Sequence, residues 1–356
     1  MNKKWRTICA VGSTLLLLIS FVLIFIFAWI DGFISTLTCV CGLFVGFILA
    51  PIVHELGHVY FAYKNDMEIM YVKAFCFCVQ LKDGKKKLTF ASPFADDQTQ
   101  VIPKSSGDMQ QRAIKYTLGG LLFGSIFLVL VLLVAVILSA CGVKGYFVWG
   151  VFPYVAYLEI INFLPIEYAK GKTDMLIYIG LKHEDDVEKV MLSAMEIQGE
   201  LYQGKSFSEI DESLYTDLPQ LCEDEPLFAL ILDLRYRYYL EKKNIEKAAD
   251  CLNRLVYAQA YIPSLQMEKI ATELVYMHSI TGNIELAQES SKLCEKYLRG
   301  QTVDAKRALA AFSKANGDSE AVSILSKQAE EILKNEPIAG VKKSEEILFQ
   351  RLNPVS

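Results

Sequence analysis

The sequence has little of what several common protein classes require. Its nine cysteines are an odd number spread over 356 residues, which excludes the dense disulfide framework of a small secreted domain and predicts reduced thiols. Basic residues form no concentrated face, so a nucleic-acid-binding domain is excluded. Histidine is scarce, with four residues. Apolar residues are abundant at 53%, with a mean hydropathy of +0.28, which is too apolar for two soluble domains.

Charge is distributed unevenly along the chain. Residues 1–183 hold 16 Lys and Arg against 11 Asp and Glu, whereas residues 184–356 hold 20 against 30. The long apolar runs all lie in the first part. We therefore predict a membrane-embedded domain over residues 1–183 and a cytoplasmic helical domain over residues 184–356.

Four apolar runs are each long enough to cross roughly 30 Å of hydrocarbon as a helix. The predicted membrane-spanning helices cover about residues 8–30, 33–62, 116–140 and 145–165. The first run could instead be a signal peptide, but it exceeds the usual apolar length and no small-residue cleavage site follows before Asp31. We expect it to be a retained span.

Basic residues predict how these helices are oriented. The N-terminus and the segment from 64 to 115 are rich in Lys and Arg, while the other connections are nearly uncharged. The positive-inside rule therefore predicts a multi-pass protein of the cell membrane with both termini in the cytoplasm. Within the central loop, about residues 66–103, strand-forming residues flank Asp83-Gly84, which predicts a β-hairpin at the membrane surface.

Helical periodicity recurs in the second part of the chain. Three similar phrases begin at Asn244, Asn283 and Asp318, and each places a glutamate in the first turn after a polar capping residue. This spacing suits a two-helix, tetratricopeptide-like repeat, with an irregular helical bundle as the alternative. The predicted fold is thus an all-α membrane protein with four transmembrane helices, a small β-hairpin insertion and a soluble C-terminal helical-repeat domain.

Two of the four histidines fall in the motif His54-Glu55-Leu56-Gly57-His58. Residues four apart on a helix differ by about 40°, so both imidazoles can bind one metal ion, and zinc is the natural fit. Glu55 is directed toward the same site without being a ligand, as a general base must be. The alternative is a pair of hydrogen-bonded helix-end histidines. It is disfavoured because polar groups beside an apolar run are costly and usually persist for function.

A catalytic zinc site of this type needs a third protein ligand and one open position. The end of the fourth run supplies a candidate, because Pro165 would end the helix, Gly171 would allow a turn and Asp174 begins a new apolar run. Glu167 is the nearest rival ligand. The alternative role for Asp174 is to cap a helix N-terminus.

The histidine motif, followed by Asn162-Phe-Leu-Pro165 and a downstream aspartate, resembles the site-2 protease family of intramembrane zinc metalloproteases. The resemblance covers roughly residues 35–180. In that family the aspartate is usually followed by glycine and lies closer to the proline, whereas Met175 follows it here. The zinc ligands implied by the resemblance are His54, His58 and Asp174. The implied catalytic glutamate is Glu55.

The primary hypothesis is an intramembrane zinc metalloendopeptidase that cleaves membrane-spanning or membrane-inserted segments of proteins or peptides near the cytoplasmic face. Glu55 would take a proton from zinc-bound water and return it to the leaving amine. Asn162 would donate a hydrogen bond to the developing oxyanion. The hairpin would hold the unwound substrate by strand addition.

The second hypothesis is a proteolytically inactive membrane scaffold whose helical repeats bind a cytoplasmic protein partner. The Asp174-Met175 irregularity favours it, whereas retention of the whole histidine motif argues against it. A third possibility, a metal transporter, is disfavoured because four membrane-spanning helices are few for that function.

Glu159, inside the fourth run, could line a water path to the zinc or extend to the lipid surface. The C-x-C pairs, Cys39/Cys41 and Cys76/Cys78, are expected to be small apolar residues rather than metal ligands.

Overall fold

A computed structural model describes residues 3–82, 85–93, 95, 97–168, 171–260 and 267–352. Each of the four apolar runs forms a helix that is long and apolar enough to cross a membrane. These helices are α1 Lys3–Ile30, α2 Phe33–Lys64, α3 Met109–Ala140 and α4 Tyr146–Phe163. Helix α3 begins earlier than predicted because the polar residues that precede the apolar run are also helical. Helix α4 ends where predicted, since Pro165 disfavours helical geometry before it and Leu164 is extended, with ψ of 132°.

Helix α2 packs closely against α3 and α4 through glycines. A Cβ atom at Gly57 would overlap the carbonyl oxygen of Gly119 in α3, and one at Gly42 would overlap that of Phe147 in α4. Such close approach of two backbones requires the smallest residues. The arrangement places the end of α2 that carries His54 against the first half of α3.

The loop between α2 and α3 forms a four-stranded sheet, so the prediction of a lone hairpin was incomplete. The strands are β1 Met67–Ala74, β2 Phe77–Lys82, β3 Lys85–Phe90 and β4 Gln98–Pro103, in the spatial order β3-β2-β1-β4. Strand β2 is antiparallel to both β1 and β3, with Val79 opposite Val72 and Leu88. The predicted Asp83-Gly84 turn lies outside the described residues. Strand β4 was missed because only three of its residues are β-branched and it stands apart from the hairpin in the sequence.

The internal contacts of the chain divide it into two compact units. The first unit comprises Met1–Ile102 and Asp108–Glu188, and the second comprises Pro103–Gly107 and Lys189–Ser356. Besides α1 to α4 and the sheet, the first unit contains β5 Glu167–Tyr168, β6 Gly171–Lys172 and α5 Asp174–His183. Strands β5 and β6 form a short antiparallel pair between α4 and α5.

The second unit is helical over its described residues. Its helices are α6 Asp186–Tyr202, α7 Ser213–Thr216, α8 Pro226–Glu241, α9 Ile245–Ala258, α10 Met267–Ile280, α11 Ile284–Leu293, α12 Glu295–Leu298, α13 Val303–Ala315, α14 Ser319–Leu333 and α15 Ala339–Leu352, with a short 3-10 helix, Phe207–Glu209, before α7. Consecutive helices pack as pairs, α8 with α9, α10 with α11 and α13 with α14. Helix α10 also packs against α13, which joins the second and third pairs.

One turn geometry recurs within all three pairs. Lys243, Gly282 and Gly317 adopt left-handed backbone angles, with φ of 61°, 79° and 79°. The next amide in each turn donates to a carbonyl five residues earlier, at 2.8 to 2.9 Å, which is the Schellman ending of a helix. The helix starts predicted at Asn244, Asn283 and Asp318 are confirmed. Likeness to the tetratricopeptide unit stays a prediction.

A cluster of buried charges joins four helices of the second unit. Arg307 of α13 is 1% exposed and donates to both carboxylate oxygens of Glu273 in α10, at 2.7 and 3.1 Å. Its Nε atom donates to Glu345 of α15 at 2.8 Å, and the Tyr236 hydroxyl of α8 donates to Glu273 at 2.8 Å. Burial raises the pKa of Glu273, but the charge of Arg307 outweighs it and brings that pKa down to about 2. These contacts hold the helix pairs together.

Candidate metal centre

The predicted metal ligands of α2 lie on one buried face near the end of that helix. His54, Glu55 and His58 are 7, 5 and 6% exposed. The two imidazole rings lie 5.0 Å apart, centre to centre, because four residues make just over one helical turn. The i, i+4 spacing therefore does what the sequence predicted and brings both rings to one place.

Asp174 reaches the same place from the turn that follows α4. The Thr173 hydroxyl donates to the Leu164 carbonyl at 2.6 Å and accepts from the Ile166 amide at 3.1 Å, which fastens the start of α5 beside the end of α4. Thr173 is the capping position of α5, and Asp174 is its first helical residue. The alternative role of Asp174 as the helix cap is thus wrong. Its carboxylate points toward the histidines.

The three side chains present a set of atoms suited to one metal ion. Asp174 Oδ2 lies 3.0 Å from His54 Nε2 and 3.3 Å from His58 Nε2. Among the described residues, these three form a group whose possible ligand atoms all lie within 4.8 Å of one another. Ligands about 2.1 Å from a tetrahedral zinc would be about 3.4 Å apart, so the separations fit.

The charge state of Asp174 also suits a metal ligand. Burial raises the pKa of the Asp174 carboxyl, but the neighbouring imidazoles, His58 and then His54, outweigh it, so its pKa lies below the usual range. A carboxyl must be deprotonated to bind a metal ion. Asp174 Oδ2 is buried and makes no hydrogen bond of good geometry within the described part of the chain.

The outer nitrogens of the two histidines differ. His58 Nδ1 lies 3.0 Å from the Tyr116 carbonyl oxygen, which can only accept, so Nδ1 carries a hydrogen and Nε2, which faces Asp174, is the atom that can bind a metal ion. A metal-binding histidine is commonly held in this way. His54 Nδ1 is buried and has no hydrogen-bond partner within the described residues.

Gly120 of α3 provides the space in which the imidazoles meet. A Cβ atom at this position would overlap His58 Nε2 and would lie 2.7 Å from His54 Nε2. Close helix packing is the usual role of glycines in a membrane-spanning helix. Gly119 contacts α2, but Gly120 faces the candidate ligands, so the second glycine has a different function from the first.

Glu55 is held by a contact that the sequence did not reveal. The Thr99 hydroxyl of β4 donates to Glu55 Oε2 at 2.5 Å, and the Tyr116 hydroxyl donates to the Thr99 carbonyl at 2.5 Å. The strand and α3 together fix the orientation of the carboxylate beside the histidines. The sequence could have indicated this contact only if strand β4 had been predicted.

Three other predicted residues have different surroundings. The Asn162 amide donates to the Leu158 carbonyl of its own helix at 3.1 Å, and its role at an oxyanion stays a prediction. Glu167 is exposed in β5 and does not belong to the candidate ligand group. Glu159 is 4% exposed and accepts a hydrogen bond from Ser125 at 2.8 Å, so the interpretation that it extends to the lipid surface is wrong.

An open cavity of about 320 Å³ adjoins this end of α2. It is lined by Phe47, Pro51, Phe75, Pro93, Ala95, Asp97 and Tyr154. Phe47 and Pro51 precede Glu55 by two turns and one turn on α2, so the cavity and Glu55 share one side of the helix. The carboxylate of Asp97 pairs with the buried Lys73 at 2.8 Å, and the surface that lines the cavity is polar and apolar in about equal parts.

The chain matches no protein-family model, and comparisons with curated proteins and with solved structures gave no significant match.

Proposed function

We propose that this protein is an intramembrane zinc metalloendopeptidase that cleaves membrane-spanning or membrane-inserted segments near the cytoplasmic face. The observation that carries the proposal is the meeting of His54, His58 and Asp174, with Glu55 beside them. His54, Glu55 and His58 lie on α2, which is long and apolar enough to cross a membrane, and Asp174 begins α5. The donor set of two imidazoles and one carboxylate is typical of catalytic zinc. The resemblance to site-2 proteases implies the same ligands.

The proposal places α1 to α4 across the bilayer. Their outward surfaces are apolar, as lipid contact requires. The large exposed side chains include the aromatic residues Trp29 and Phe33, which lie near the turn between α1 and α2. The basic segment that includes the sheet would face the cytoplasm, together with both termini. Glu55 would then lie near the cytoplasmic boundary, where water can reach it.

His54, His58 and Asp174 would hold the zinc ion. A bound zinc ion would polarise the substrate carbonyl and would lower the pKa of a water molecule beside it to about 7. Gly120 leaves the space that the two Nε2 atoms need to face one point. The hydrogen bond from His58 Nδ1 to Tyr116 keeps that ring in the metal-binding tautomer.

Glu55 acts as the general base and then as the general acid. Its carboxylate accepts the proton of the attacking water and passes it to the amine that leaves when the peptide bond breaks. The Thr99 hydroxyl holds one carboxylate oxygen, so the side chain keeps its direction while the substrate binds. Asn162 remains the proposed donor to the oxyanion.

The substrate is a peptide segment that has unwound at the membrane surface, because a helix shields its own carbonyl groups. Strand β4 lies at an edge of the sheet and carries Thr99, so a substrate strand added there would run beside Glu55. The cavity lined by Phe47 and Tyr154, which is partly apolar, would accept a large side chain near the cleaved bond.

The helix pairs of the second unit would bind a cytoplasmic protein partner or present the substrate. Stacked helix pairs make extended surfaces that suit peptide binding. The scaffold alternative relies on the irregular Asp174-Met175 sequence. Because Asp174 lies within 3.3 Å of both imidazoles, that irregularity does not remove the third ligand.

The decisive test is cleavage of a transmembrane substrate by the purified full-length protein, with zinc content measured on the same samples. Glu55→Gln should reduce cleavage by about 10²- to 10⁴-fold and leave bound zinc unchanged, because only the proton carrier is lost. Glu289→Gln, an exposed change in α11, is the control and should cleave normally. Equal cleavage by wild type and Glu55→Gln would refute the mechanism. Absence of zinc, with full function after His54→Ala, would support the scaffold.

A further inference from the structure

One imidazole of the candidate site lacks the outer partner that the other one has. His58 Nδ1 is bound to the Tyr116 carbonyl, whereas His54 Nδ1 is buried without a partner within the described residues. His54 is 7% exposed, so bulk water does not reach the ring freely. A histidine that binds metal through Nε2 almost always donates its other N–H to a carboxylate, a carbonyl or a water molecule. The structure therefore calls for an acceptor near His54.

Glu159 is a buried carboxylate that the proposed reaction does not use. It lies on α4, is 4% exposed, and accepts the Ser125 hydroxyl through Oε1. Its other oxygen, Oε2, lies over Gly124, where a Cβ atom would overlap it. A carboxylate inside an apolar helix is costly and is retained for a function.

The two glycines of α3 place this carboxylate beside the histidine. Gly120 and Gly124 are four residues apart, so they share a face of α3 about 6 Å apart along the axis. Gly120 lies against the His54 and His58 rings, and Gly124 lies against Glu159. The His54 ring and the Glu159 carboxylate therefore lie against neighbouring turns of the same face of α3.

We infer that Glu159 accepts the Nδ1–H of His54 through one bridging water molecule and thereby orients that imidazole toward the metal. The inference rests on the proposed zinc site. A buried water needs two or more polar partners, which His54 Nδ1 and Glu159 Oε2 supply. Glu159 is thus a positioning residue: it fixes the tautomer of His54 and raises the basicity of its Nε2.

The test is the zinc affinity of the full-length protein, measured by competition with a chelator, together with the visible spectrum of the cobalt-substituted protein. Glu159→Leu should weaken zinc binding by about 10- to 100-fold and change the cobalt spectrum. Glu159→Gln should have a smaller effect, because the amide carbonyl can still accept the bridging hydrogen bond. Ser125→Ala is the matched control, since it removes the link between α3 and α4 and leaves the carboxylate in place.

Four outcomes separate the possibilities. Weak zinc binding in Glu159→Leu, partial recovery in Glu159→Gln and normal binding in Ser125→Ala support the inference. Equal weakening by Ser125→Ala and Glu159→Leu overturns it, because Glu159 would then only join two helices. Normal binding by Glu159→Leu also overturns it, and if His54→Ala loses zinc in the same assay the proposed metal site still stands. Absence of zinc from the wild type refutes both.

Discussion

Around Arg307 in the second unit, buried charges are paired through hydrogen bonds, whereas around Asp174 in the first unit, three possible metal-ligand atoms converge. The guanidinium of Arg307 donates to Glu273 and Glu345, so its donors and their acceptors are matched. At Asp174, the oxygen Oδ2 and the two imidazole Nε2 atoms lie close together, and Oδ2 makes no hydrogen bond of good geometry within the described residues. These three atoms could hold one metal ion.

This difference separates a structural cluster from a functional one. A buried polar network in which each partner is satisfied makes a packed core more specific and is costly to break. Two imidazole nitrogens and a carboxylate oxygen that converge on one point can bind one cation once they are deprotonated. The second pattern therefore indicates a ligand site, and the first does not.

The largest expected effect is on stability, and it appears when one charged side chain is removed from each unit in turn. Arg307→Met removes the guanidinium that pairs with both Glu273 and Glu345, which stay buried, and should lower the free energy of unfolding by about 3–5 kcal/mol. Asp174→Asn removes a carboxylate whose Oδ2 makes no hydrogen bond of good geometry within the described residues, so it should lower the stability of the zinc-free protein by much less. Hydrogen exchange of α5, α10 and α13 amides in the full-length protein, with a chelator present, measures both.

The control for this comparison is Lys334→Met, which breaks an exposed ion pair with Glu331 and should have little effect. If Asp174→Asn destabilises the zinc-free protein as much as Arg307→Met does, the Asp174 cluster is a structural ion pair. The distinction between the two units would then be lost.

A smaller effect is expected from a change that favours the helix but fills the metal site. Gly120→Ala should raise helix propensity by about 1 kcal/mol, yet its methyl group would displace the imidazoles. We expect zinc affinity to fall by at least the 10-fold that is typical of disturbed ligand orientation. The control is Gly12→Ala in α1, where a Cβ atom has no neighbour within 4 Å. Normal zinc affinity in Gly120→Ala would show that Gly120 serves only packing.

The smallest effect is expected in a turn of the second unit. Lys243 adopts a left-handed φ of 61° at the position where the other two turns have glycine, so Lys243→Gly should stabilise that unit by about 1 kcal/mol. The neighbouring Lys242 has a helical φ of −69°, and Lys242→Gly should instead destabilise it. Hydrogen exchange of α8 and α9 measures both. Zinc affinity should not change, and a change would mean that the units are coupled.

Local sequence patterns predicted the parts of the site that one helix supplies. The i, i+4 spacing of His54 and His58 requires only that α2 be helical, and the apolar composition made that helix evident. The helix starts at Asn283 and Asp318 likewise depend on a few adjacent residues. Such features follow from short-range backbone geometry.

Contacts between distant segments could not be predicted in the same way. Thr99 reaches Glu55 across 44 positions in the sequence, on a strand with a weak signal. The functions of Gly120 and Glu159 depend on which face of α3 meets α2 and α4. One amino-acid sequence shows that a glycine leaves space beside its helix, but it does not show which side chain will occupy that space.

The proposed metal centre is tested most directly by X-ray absorption at the zinc edge of the purified full-length protein. We expect one zinc per chain with two imidazole nitrogens and a carboxylate oxygen at about 2.0–2.2 Å. In Asp174→Asn this signal should be lost or altered, because one of the three ligands has changed. Absence of zinc, sulfur ligands at about 2.3 Å, or an unchanged signal in Asp174→Asn would contradict the assignment of His54, His58 and Asp174 as the metal centre.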